Sequence, residues 1–428
     1  MSNPKYVSAS EAIRATEPGC TVFLGESCGE PQTLVEALVA DRERLRGTRI
    51  LDSRRINGSQ LLPFCDYFKV ISFQFAADTS KAAEKGLVDH LPLKLSEIHR
   101  LFLPGGPVPV DVALVQVSPP DAEGNCSFGV CVGYTLEAAL SAKMIIAEVN
   151  QHMPRTYGGN ALPIERFDYV VRSSRPLLEY PIPRVESLHM EVAKNVARLI
   201  GDGATLCLGL GSVPEAILKC LKGKHHLGLH SGLITDGILD PIKEGIITNK
   251  KKNRDRGKTV SAQAMGSKEL FQFLRENPAV EMRPYSYTHD IHVLAKTNNF
   301  TLINSAIEID LTGQLNVESI GTVQFGAVGG QADYIRGTAL SRGGKSITAL
   351  TATTQNGKTS RIVPQFSEGT IVSIPRYDVQ YAVTEYGIAE LWGKTLAERR
   401  KALIAIAHPK FRDALYHSCQ SKAQPVAD

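Results

Sequence analysis

The chain has 428 residues, 43% of them hydrophobic and 21% charged, and a net charge of +4. Domains usually run to about 100–200 residues, so two or three units are expected rather than one core. So small a charge, with no basic stripe interleaved with aromatics, gives no support to nucleic-acid binding, and no stretch approaches the roughly 20 apolar residues that a membrane span needs. The opening "MSNPKYVSASEAIRAT" has no apolar core of signal-peptide length. Cys20, Cys28, Cys65, Cys126, Cys131, Cys207, Cys220 and Cys419 form no CxxC pair, so a zinc site is not expected. Several lie in apolar runs such as "TLCLG" and "ILKCL" and read as small buried hydrophobes, and a reducing cytoplasm fits.

In chain order, the runs "TVFLG" (21–25), "VALVQV" (112–117), "MIIAEV" (144–149), "TLCLGLG" (205–211), "LGLHSG" (227–232), "TLINS" (301–305), "SITAL" (346–350), "TIVSI" (370–374) and "QYAVTEYG" (380–387) read as buried strands. They are short, apolar on both faces and bounded by Gly, Asp or Pro, as strands of a helix-covered parallel sheet are. Amphipathic segments lie between them. In "RVESLHMEVAKNVARLIGDG", Leu188, Val192, Val196 and Leu199 follow helical spacing and Gly201 reads as the cap. The alternation predicts an α/β fold.

The chain also repeats itself. "PGCTVFLGESCGEPQTLVEAL" (18–38) resembles "DGATLCLGLGSVPEAILKCL" (202–221), with Leu24-Gly25 matching Leu208-Gly209 and a helix-opening Pro in each, Pro31 and Pro214. Two duplicated halves are therefore expected. "SSRPLLEYPIPR" (173–184), with three prolines, reads as the linker between residues 1–183 and residues 184–428.

Glycine-rich turns that follow strands can aim backbone N–H groups at a phosphate or a developing oxyanion. The candidates are "GLGSVP" (209–214), "GAVGGQ" (326–331) and "SRGGKS" (341–346). None has Walker or GxGxxG spacing, so neither a P-loop nor NAD binding is supported. Ser231 in "LHSGL" lacks the G-x-S-x-G of a nucleophile elbow, because Leu229 holds the first glycine position. His230 reads as a strand residue, His225 and His226 as surface residues, and Asp236-Gly237 as a turn. Glu26, directly after a strand and before a helix, is a candidate catalytic carboxylate on the functional edge of a sheet. Glu30 competes with it but also fits a cap or a surface position.

The segments "HLGLHSGLITDGILD", "GIITNKKK", the long run from Asn304 to Ile347, "SRIVP" and "VQYAVTEYGIAELWGKTLAERRKALIAIAHP" closely resemble the acetyl-CoA hydrolase/transferase family. The nearest likeness is its 4-hydroxybutyrate CoA-transferase type. "VSPPDAEGNCSFG" and "AEVN" extend the resemblance into the first half. It implies two similar open α/β domains with largely parallel sheets and the active site between them. It also implies glutamyl chemistry, in which a carboxylate attacks an acyl-CoA thioester. The amides of Val328, Gly329 and Gly330 would hold the oxyanion. Ser231, Gly232, Gly326, Ala327, Gly330, Gln331 and Lys345 would contact the substrate.

The resemblance places the family's glutamate at Gly232, and Ala327 stands where the loop's first glycine is usual. Three expectations follow. Glu26 replaces the nucleophile; or the acyl group passes directly to water or another nucleophile, with Glu26 as base; or the chain binds acyl-CoA without turnover. The second is preferred, because a base tolerates looser geometry than a nucleophile does. Coenzyme A, as acyl-CoA, is the expected cosubstrate, with no metal and no NAD. The expected partners are acyl-CoA and its acceptor, without nucleic acid or membrane, and the chain is expected to form a homo-oligomer.

Overall fold

Apolar runs whose residues are buried on both faces settle at the middle of sheets, and here they do so twice. The structure is a computed structural model that describes residues 4–53, 56, 60–75, 77–354 and 357–420, without the side chains of residues 77, 78, 419 and 420. Cys419 therefore lies outside the described side chains.

Two eight-stranded sheets dominate the described residues. From edge to edge the first runs Val88–His90, Lys69–Ser72, Arg49–Asp52, Thr21–Leu24, Val112–Val117, Met144–Asn150, Tyr169–Ser173 and Lys5–Tyr6. The second runs Val280–Met282, Thr259–Ala264, Gly228–Ile234, Thr205–Leu208, Phe300–Asn304, Lys345–Ala349, Tyr381–Thr384 and Gly387–Glu390. Every pairing in the first sheet is parallel. In the second only the last is antiparallel.

The two orders correspond. Thr21–Leu24 and Thr205–Leu208, the strands of the sequence repeat, each lie fourth from one edge. The next strands in the chain build outward to that edge, and later ones return to the other side. Parallel neighbours need crossovers, which helices supply. Gln32–Ala40 packs Leu34, Val35 and Leu38, and Ser212–Lys219 packs Ala216 and Ile217. Pro31 caps the first helix and Pro214 sits in the first turn of the second, where a missing N–H costs nothing. The chain is thus α/β, with two domains of largely parallel sheet.

Three expectations need correcting. "TIVSI" (370–374) is not a strand. Only Ile374 makes a bridge, to Leu315, and Val372 is exposed, so the run has no neighbour to complete a ladder. The helix of 184–203 is Ser187–Ala197, capped at Arg198 rather than Gly201. Strands Arg49–Asp52, Lys69–Ser72, Val88–His90, Tyr169–Ser173 and Thr259–Ala264 were not expected; their polar residues interrupt the apolar signal.

The domains meet along backbone as well as side chains. Val132 and Gly133 donate to Ala262 O at 3.0 and 3.1 Å, and Ala264 donates to Val130 O at 2.8 Å. One buried apolar cluster runs from Phe23 through Tyr134 and Leu206 to Val383, joining both halves. The proline-rich segment after Ser173 is docked too, since Tyr180 N donates to Gly266 O at 3.0 Å.

Candidate active site

Carboxyl ends of parallel strands leave crevices where ligands bind. A cleft of about 320 Å³ opens at the carboxyl ends of four adjacent strands of the second sheet, lined by Leu208–Gly211, Gly232, Gln263 and Asn304. Gln74, Leu95 and Tyr180 close it from the other side, and the loop from Ala327 to Gln331 forms one wall.

That wall is an unpaired N-terminus. Helix Gln331–Leu340 begins at Gly330, and Gln331 N turns back to Val328 O at 3.2 Å. Among the described residues the amides of Val328, Gly329 and Gly330 have no acceptor. Gly329 adopts φ +56°, a left-handed conformation in which side chains are strained. Consecutive free amides at a helix start form an anion-binding concavity.

Facing them is His289, which the sequence reading did not single out. It follows the short helix Tyr285–Thr288 and is almost wholly buried, yet lines the cleft. Its ring packs edge-on against Tyr285 at 4.7 Å and tilted against Tyr334 at 4.4 Å. The approach to the glycines is closer still. A Cβ on Gly232 would lie 2.8 Å from Cε1 and 3.0 Å from Nε2, and one on Gly330 would lie 2.2 Å from Nε2. Glycine at both positions is what admits the ring.

Two hydroxyls meet its Nδ1, Thr288 Oγ1 at 3.0 Å and, more distantly, Tyr334 OH at 3.5 Å. Thr288 Oγ1 also lies 3.3 Å from Pro284 O. A hydroxyl has one proton; given to the carbonyl, it leaves oxygen to accept from Nδ1–H. Nε2 then carries a lone pair, and among the described residues it has no hydrogen-bond partner. Burial, with His230 nearby, pushes the pKa well below the usual histidine value, so the ring is neutral at neutral pH.

Glu26 is placed differently from expectation. It follows Thr21–Leu24, but it is 2% exposed and does not line the cleft. A Cβ on Gly133 would lie 2.6 Å from Glu26 Oε1 and 3.0 Å from Tyr285 Cε2, so the carboxyl lies near the Tyr285 ring, which packs against His289. Burial pushes its pKa up to about 7, tempered by Ser53, Tyr134 and Gln263. Among the described residues no partner of proper hydrogen-bond geometry meets either oxygen.

Of the other expected contacts, Gly232, Ala327, Val328, Gly329, Gly330 and Gln331 converge on the cleft. Ser231 does not. Its Oγ accepts from Leu208 N at 3.3 Å and donates to Leu208 O at 3.1 Å, stitching two strands on the far side. Gly326 lies one residue before the lining, against Val317 O. Lys345 starts its strand at the opposite sheet edge, where Nζ donates to Leu199 O at 2.8 Å. A lysine at a strand's amino end belongs to the wrong rim for a substrate held at the carboxyl ends. His230 Nε2 donates to Thr288 O at 3.0 Å from inside its strand, while His225 and His226 are exposed. Asp236 accepts from Ser267 and acts as a turn clamp.

Comparison with known proteins adds to this geometry. The family pattern of the acetyl-CoA hydrolase/transferase N-terminal domain matches residues 3–179, and that of the C-terminal domain matches residues 266–419. The chain is 42% identical over 420 residues to a 4-hydroxybutyrate coenzyme A transferase of Clostridium kluyveri, covering 98% of each chain. It is 36% identical to a succinyl-CoA:cyclohexane-1-carboxylate CoA transferase of Geobacter metallireducens, over 96% of this chain and 94% of that one. Among solved structures, RipA from Yersinia pestis superposes with a TM-score of 0.92 at 31% identity, over 98% of this chain and 97% of that one.

Proposed function

The chain belongs to the acetyl-CoA hydrolase/transferase family, and from that premise we propose that it transfers the acyl group of a short-chain acyl-CoA directly to water or another nucleophile, with His289 as general base. The observation that carries this reading is the placement of His289 Nε2 against Gly232 and Gly330, beside the free amides of the loop. The position that the family resemblance gives to a glutamate offers only a hydrogen, and an imidazole occupies the adjoining space.

The nucleophile Nu–H approaches the thioester carbonyl while Nε2 takes its proton. The Nu–C bond forms, and the carbonyl oxygen becomes an oxyanion held by the amides of Val328, Gly329 and Gly330. Collapse breaks the C–S bond, and the leaving thiolate recovers the proton from the imidazolium. Burial disfavours that imidazolium on its own, but it forms beside an oxyanion of opposite sign. With Thr288 Oγ1 accepting from Nδ1–H, Nε2 is the nitrogen that exchanges protons.

His289 lines the cleft and the buried Glu26 does not, which supports His289 over Glu26 as the base and gives no support to a covalent role for Glu26. The test is intact-protein mass spectrometry during incubation with acetyl-, butyryl- and succinyl-CoA, with borohydride to trap glutamyl thioesters. Release of free CoA without any trapped adduct is expected. An adduct on Glu26 would replace this reading with covalent CoA transfer.

A further inference from the structure

The glycine loop belongs to the second domain, but the first domain holds it at both ends. Upstream, the Ser80 hydroxyl, in helix Ala77–Glu84, donates to Phe325 O at 2.9 Å, one residue before Gly326. Downstream, Asp333 is the third residue of the helix that starts at the loop, and it is wholly buried. Its Oδ1 accepts from Ser96 Oγ at 2.6 Å and its Oδ2 from Ser96 N at 3.2 Å. Ser96 lies in the first turn of helix Leu95–Phe102, and the neighbouring Leu95 lines the cleft. These partners are 245 and 237 residues apart in sequence.

Between the two anchors the loop has little of its own to fix it. Phe325 N and Gly326 N hold to Glu318 O at 2.7 and 2.8 Å, and among the described residues the backbone of the next four is joined by two bonds, from Gln331 N to Val328 O at 3.2 Å and from Tyr334 N to Gly330 O at 3.0 Å. Two glycines there remove backbone restraint rather than add it. Oxyanion stabilisation depends on donors already aimed before reaction, and an error of about 1 Å in placement costs on the order of a hundredfold in rate.

We propose that Ser80, Ser96 and Asp333 are positioning residues that clamp the Gly326–Gly330 loop between the domains, so that the three free amides converge only while the first domain is seated on the second. This rests on the reading of those amides as oxyanion donors. None of the three side chains lines the cleft. An acyl-CoA entering an unseated molecule would meet a loop whose donors are not aligned.

Ser80→Ala and Ser96→Ala each remove one hydroxyl and leave Asp333 its bond from Ser96 N, so folding is preserved better than in an Asp333 variant. Two readouts are taken on the full chain. The first is amide hydrogen exchange at the hydrogen-bonded loop amides of Phe325, Gly326 and Gln331 in the absence of substrate, compared with the central strands Val112–Val117 and Phe300–Asn304. The second is kcat and KM for release of CoA. In the double variant, loop exchange is expected to rise about tenfold with the strands unchanged, and kcat to fall at least about tenfold with KM within about threefold. Ser96→Thr, which keeps the hydroxyl, is expected to stay near wild type. Unchanged loop exchange overturns the clamp, and so does faster exchange without loss of kcat. The exchange measurement needs no turnover, so it decides the clamp even if His289→Gln leaves the rate intact and the general-base reading falls.

Discussion

The His289 imidazole occupies the space a side chain at position 232 would enter: a Cβ on Gly232 falls 2.8 Å from Cε1 and 3.0 Å from Nε2, with Tyr334 OH at 3.3 Å. Each residue is explained by the other. The ring fits because position 232 has no side chain, and any carboxylate there would have to displace the ring.

Restoring a glutamate alone therefore fails. Gly232→Glu overpacks a buried contact, which costs about 1–3 kcal/mol, and it pushes His289 out of register. Its melting temperature and its CoA release are both expected to fall. Adding His289→Ala makes room, and the double variant is expected to recover stability and to yield a borohydride-trappable glutamyl thioester at position 232. A double variant no more stable than Gly232→Glu would show that the ring is not the obstacle.

Thr288 is expected to matter through the tautomer. Thr288→Val keeps the shape but removes the nearer of the two hydroxyls on Nδ1, leaving Tyr334 OH at 3.5 Å, which favours movement of the proton to Nε2 and blocks the base. A loss of about tenfold or more in kcat with little change in KM is expected, while Thr288→Ser stays near wild type. Equal kinetics for the Val and Ser variants would remove Thr288 from the mechanism.

Gly330→Ala places a methyl 2.2 Å from His289 Nε2 and 2.4 Å from its Cδ2. It disturbs the base and the donor loop in one step. Because loss of one oxyanion donor costs about 10²–10³ in kcat, turnover is expected to fall by at least that range while binding of acyl-CoA persists. Wild-type rates in a folded Gly330→Ala protein would contradict the geometry.

Glu26 gives a pH signature in stability. Burial raises its pKa from 4.5 to about 7, so the folded state holds this proton more tightly than the unfolded chain does. The contribution is full below pH 4.5 and is lost as the pH rises through about 7. The shift corresponds to roughly 3 kcal/mol at most. Glu26→Gln is free of this loss. Its stability relative to wild type is expected to improve between about pH 5 and about pH 8 in paired denaturant titrations, with CoA release kept within a few-fold. A stability difference that does not move with pH would mean the carboxyl is not held protonated.

The sheet centres were readable because Val112–Val117 and Met144–Asn150 each open on four consecutive apolar residues, with Gln116, Glu148 and Asn150 only near their carboxyl ends. Thr259–Ala264 is just as buried, but it carries Thr259, Ser261 and Gln263. Thr259 Oγ1 accepts from Asn249 and Ser261 Oγ donates to Gln263 O, so the polar residues are satisfied inside. A hydropathy pattern does not see such partners. The loop Ala327–Gln331 was readable from its glycines and from resemblance. His289 was not, because its role comes from residues 232, 289 and 330 meeting from three separate segments. Lys345 misled because a glycine-rich turn looks alike at either end of a strand, and only the topology tells the rims apart.

The most direct measurement is the rate of CoA thiol release by His289→Gln beside wild type, across acetyl-, butyryl- and succinyl-CoA at neutral pH. With Nε2 replaced by an amide that cannot take a proton, a fall of about 10²–10⁴ is expected for every ester the wild type cleaves, without a matching rise in KM. A folded variant that releases CoA at the wild-type rate would contradict the assignment of His289 as the base.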